Sequence, residues 1–83
     1  MSLIQYNLEI QIPADNITIL AFQHATIKQA KEGLHKLYNE IKELGLDPIF
    51  TESNEFSYVN PNTDKTVYIH LTQSTHQSTR LIG

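Results

Sequence analysis

From Ile4 to Ile12 the even positions are apolar or aromatic (Ile4, Tyr6, Leu8, Ile10, Ile12) and the odd ones polar (Gln5, Asn7, Glu9, Gln11). A period of two with one apolar face predicts a strand lying on a core. Pro13-Ala14-Asp15-Asn16 then reads as a turn: proline lacks a ladder donor, and Asp and Asn tolerate turn geometry. The next stretch, ITILAFQ (residues 17–23), is apolar on both parities. Asp15 could cap a helix through this stretch, but the β-branched run Ile17-Thr18-Ile19 favours a strand. Pairing Ile12 with Ile17 sets Ile10 against Ile19 and Leu8 against Ala21, a hairpin with six apolar side chains on one face. In that register Leu20 and Phe22 point the other way.

The period changes at about Ala25. Ile27, Ala30, Leu34, Leu37, Tyr38, Ile41 and Leu44 recur at spacings of three and four, predicting one amphipathic helix over residues 25–44. Gly45-Leu46 reads as a left-handed cap with an apolar clasp, and Pro48 prevents the helix from resuming. Gly33 interrupts the helix with no local reason. Strands follow at Ile49–Thr51, Glu55–Val59 and Thr66–Leu71. Pairing Asn60 with Lys65 sets Tyr58 against Val67 and Phe56 against Ile69 on one face, with Asp64 at a left-handed turn position. From residue 74 onward the chain is polar and aperiodic until its last residues, predicting a flexible tail over 74–83 after a single domain at 1–73.

Two strands, one long helix and two or three further strands predict an α+β two-layer sandwich, a single helix on a four- to five-stranded, mostly antiparallel sheet. Should the first strand lie beside the last in parallel, the topology is β-grasp-like. A simple meander is the alternative.

Composition narrows the chemistry. The chain has 83 residues, no cysteine and a net charge of −3 with six Lys and Arg. Disulfides and thiolate metal sites are excluded, which fits a reducing, cytoplasmic setting. No basic stripe exists to neutralise phosphates, so no nucleic-acid partner is expected. No apolar run is long enough for a membrane span. His24 and His35 stand about 16 Å apart along a helix axis, and His70 faces Glu55 across the second hairpin. Neither arrangement supplies the three or four ligands of a zinc site. Serines and threonines near His76 lie in the tail, where attack geometry cannot be held. There is no glycine-rich phosphate loop. No cofactor and no catalytic activity are therefore expected.

What remains is surface. One helix cannot cover both sheet faces, so Leu20 and Phe22 are expected to form a partner surface on the open face, extended by Tyr68 and Val59. The expected function is a small interaction or regulatory module, binding another protein or a second copy of itself. Its rival is a ubiquitin-like carrier acting through the tail-terminal Gly83.

Overall fold

The period-two segment forms the middle of the sheet. β1 (Ser2–Ile12) lies between β2 (Ile17–His24) and β5 (Lys65–Gln77). β4 (Glu55–Asn60) and β3 (Ile49–Glu52) complete five strands in the order β2-β1-β5-β4-β3. The computed structural model describes residues 2–77. A single helix, α1 (Ile27–Glu43), covers one face, giving the expected two-layer α+β sandwich.

Neither expected topology is adopted as such. All four strand pairs are antiparallel, including β1 with β5, so the parallel central pair of a β-grasp sheet is absent. The reason lies in the helix. It returns the chain to the end of the sheet where β2 began, so β3 runs in the direction of β2. Two hairpin reversals later, β5 runs that way too, against β1. The sheet is not a simple meander either, because β1 and β2 sit beside the last strand. The helix joins the two edge strands. Its 17 residues extend about 25 Å, enough to cross the roughly 19 Å of four strand spacings.

Local signals set the helix ends. The Thr26 hydroxyl accepts a hydrogen bond from the Gln29 amide at 3.1 Å, satisfying one of the donors left free in the first turn. At the other end Gly45 has φ 84°. The Leu46 amide donates to the Ile41 carbonyl and the Gly45 amide to that of Lys42. These two bonds make a Schellman cap, and Leu46 packs against the core as its apolar clasp. Asp64 takes the left-handed position at φ 59°. In the same turn, Asn60 accepts from Asn62 through its side chain and from Asp64 through its carbonyl.

The core is the strip where the helix meets the central strands. Leu8, Ala30, Leu34, Ile41, Phe56, Val67 and Ile69 are buried. The β4–β5 register is the one expected, with Phe56 opposite Ile69 and Tyr58 opposite Val67. Complete burial of Leu8, Leu34 and Phe56 contributes roughly 1.5–3 kcal/mol each before entropy costs. β5 continues to Gln77, so residues 74–77 of the expected tail pair with Ser2–Gln5 of β1. Residues 78–83, with Gly83, lie outside the described residues.

Candidate partner-binding groove

The two-sided strand resolves through a bulge. Ile12 pairs with Ile17 and Ile10 with Ile19, as the hairpin predicts, and Glu9 then faces Leu20. The next pair is Leu8 with Phe22, not Leu8 with Ala21. Ala21 is the extra residue of a β-bulge, which shifts every later side chain of β2 to the opposite face. Leu8 points into the core, so Phe22 stands on the helix side as well. Leu20, one pair earlier, stays on the open face beside Glu9. The shared outward face expected for Leu20 and Phe22 is therefore corrected: the bulge puts them on opposite sides.

The other two expected residues sit on the open face but do not join Leu20 into a patch. Tyr68 is flanked by Gln11 and Ser57, and Val59 lies opposite Thr66. Across the middle of this face, His70 Nε2 lies 3.3 Å from a Glu9 carboxylate oxygen, and His70 Nδ1 lies 3.5 Å from one of Glu55. The open face is thus polar at its centre, with apolar side chains set singly among polar ones. Such scattered exposure is ordinary protein surface.

The helix side is different. Tyr38 of α1 stacks on Phe50 of β3 at 4.7 Å between ring centroids, and meets Phe56 of β4 edge-on at 5.5 Å. His35 adds a contact to Phe50 at 5.5 Å. These ring contacts tie the helix to β3 and β4. At the opposite edge, β2 is left largely bare, with Ile17 38%, Ile19 50% and Phe22 51% exposed. All three face the same side as the helix. Between α1 and this strand runs a groove of about 300 Å³. Its apolar floor is Leu8, Phe22 and Leu37, its end is closed by His24 and Gly33, and Lys36 and Glu40 stand on its rim.

Gly33 acquires its reason here. A Cβ at this position would come 3.2 Å from His24 Nε2 and 3.3 Å from Leu8 Cδ1, both tighter than ordinary contact. The glycine lets the helix settle over the end of β2. In doing so it buries His24 Nε2, which has no hydrogen-bond partner among the described residues.

The histidines do not converge. His24 closes the groove, His35 lies against Phe50, and His70 lies on the open face between two carboxylates. Among the described residues no three His, Asp or Glu side chains are grouped to hold a metal ion. No helix among them is long and apolar enough to cross a membrane. No protein-family model, curated protein or solved structure gives a significant match to this chain.

The sequence signal for the groove residues is partial. Ile17 and Ile19 have the right parity for the core, but parity does not say how far along a strand the helix reaches. Nothing in ITILAFQ marks Ala21 as the bulged position, because a small apolar residue fits a straight strand equally well.

Proposed function

We propose that the protein is a small, non-enzymatic interaction or regulatory module that holds a partner polypeptide against the β2 edge and the adjoining groove. The observation that carries this reading is the coincidence of two unsatisfied features on one element. β2 pairs with β1 alone among the described residues, so it offers unpaired backbone groups. Its helix-side flank exposes Ile17, Ile19 and Phe22. Backbone pairing supplies affinity to an added strand, while side-chain pockets supply specificity. The groove is a pocket for one apolar side chain of that strand, with Lys36 and Glu40 at its mouth. The cysteine-free composition suits a reducing compartment such as the cytoplasm.

The reading is tested by retention of proteins from host lysate on the immobilised chain, compared across three single changes. Ile19→Lys and Phe22→Lys put a charge on the contact surface and should abolish retention. Leu20→Lys lies on the open face and should leave it intact. Retention lost only with Leu20→Lys, or equal retention by all three variants, would contradict the assignment. So would the absence of both a retained protein and self-association.

A further inference from the structure

Resting on that reading, we infer that the partner at the β2 edge is a second copy of this chain, paired strand to strand in antiparallel fashion. The two edges of the sheet are built differently. β3 is only four residues long, has a register shift near Thr51, and carries Glu52 beside Glu55 of β4. Short, irregular edges that carry a charge are those that resist pairing. β2 has eight residues, ITILAFQH, with no Lys, Arg, Asp or Glu among them. Its segment Ile17–Leu20 is straight, since the bulge comes only at Ala21. On a chain of net charge −3, an uncharged edge is where two copies meet with the least repulsion.

Symmetry fixes the geometry. Antiparallel strands related by a two-fold axis perpendicular to the sheet keep both helices on the same side. Residues opposite one another must then share a face. Setting Ile17 of one copy against Ile19 of the other meets this condition. The four isoleucines form one apolar cluster between the two helices, and Thr18 meets its own counterpart on the open side. The Ile17–Ile19 part of the exposed flank is covered, Phe22 and the groove lie beyond the paired stretch, and the two sheets become one of ten strands.

Because the chain lacks cysteine, a single introduced thiol reports the register. Opposed residues of an antiparallel pair bring their Cα atoms within disulfide range. Thr18→Cys should therefore yield a covalent dimer under mild oxidation, while Val59→Cys, exposed on the same face of β4, should not. Sedimentation of the unmodified protein from micromolar to millimolar concentration should show a monomer–dimer equilibrium. Ile19→Lys should weaken it at least roughly tenfold while leaving the circular dichroism spectrum unchanged. A protein that stays monomeric throughout, yet retains another protein through Ile19 and Phe22, overturns self-pairing and leaves the proposed function standing. A dimer that survives Ile19→Lys and does not cross-link through Thr18→Cys overturns the use of this edge altogether.

Discussion

Gly33 of α1 and His24 of β2 lie so close that a methyl group between them would be crowded: a Cβ on Gly33 would come 3.2 Å from the ring Nε2. Two effects oppose each other at this position. Alanine is favoured over glycine in a helix by about 0.8–1 kcal/mol. Against that gain stand two crowded contacts, one with the His24 ring and one with Leu8. Gly33→Ala is expected to be neutral or destabilising by up to about 1 kcal/mol despite its helix propensity, and Gly33→Val to cost about 1–3 kcal/mol. In a His24→Ala background one of the crowded contacts is gone, so Gly33→Ala should become stabilising. A double-mutant cycle by urea denaturation measures the coupling. Strict additivity would show that the two residues do not press on one another.

Leu34 and Leu37 lie one position apart in the helical stripe and differ in what they cover. Leu34 is fully buried over the core, whereas Leu37 is half-buried and lines the groove. Leu34→Ala should cost about 2–5 kcal/mol, a large share of the stability of a small domain. Leu37→Ala should cost clearly less. Equal losses would mean that the groove is closed in solution.

The bulge makes an unusual deletion tolerable. Ala21 faces no residue of β1, and the pairs on either side of it, Glu9 with Leu20 and Leu8 with Phe22, become consecutive once it is removed. Deleting Ala21 should keep every pairing and every facing, at a cost within the ordinary range of about 0.5–3 kcal/mol for a single change. Deleting Gln11 from β1, whose pairing with β5 has no irregularity to absorb the loss, instead moves part of that central strand to the wrong face and should unfold the domain. Thermal melts of the two deletions separate these outcomes.

Much of this architecture is legible in the residues because it depends on local chemistry or on a buried face. The alternation of β1, the β4–β5 register, the left-handed Asp64 and the Gly45-Leu46 cap are all of this kind. A one-residue slip at Phe56 or Val67 would expose the core, so the pattern admits one register only. Other features depend on contacts between distant segments. The antiparallel pairing of β1 with β5 follows from where α1 delivers the chain. The strand character of residues 72–77 comes from backbone pairing to Ser2–Asn7 rather than from apolar alternation. Gly33 is explained only by His24 and Leu8 beneath it. At the groove, the exposed apolar strand was legible, and the side on which Phe22 stands was not. A bulge reverses sidedness without leaving a mark in the composition around it.

The sidedness of Phe22 is also the most direct point of test, since the groove exists only if this ring shares a face with α1. Aromatic-to-methyl nuclear Overhauser effects in the isotopically labelled protein measure it. Cross-peaks are predicted from the Phe22 ring to the methyl groups of Leu8 and Leu37, with none from Leu20 to either. Cross-peaks from Leu20 to Leu8 or Leu37, with Phe22 instead close to Glu9, would place the ring on the open face and remove the groove.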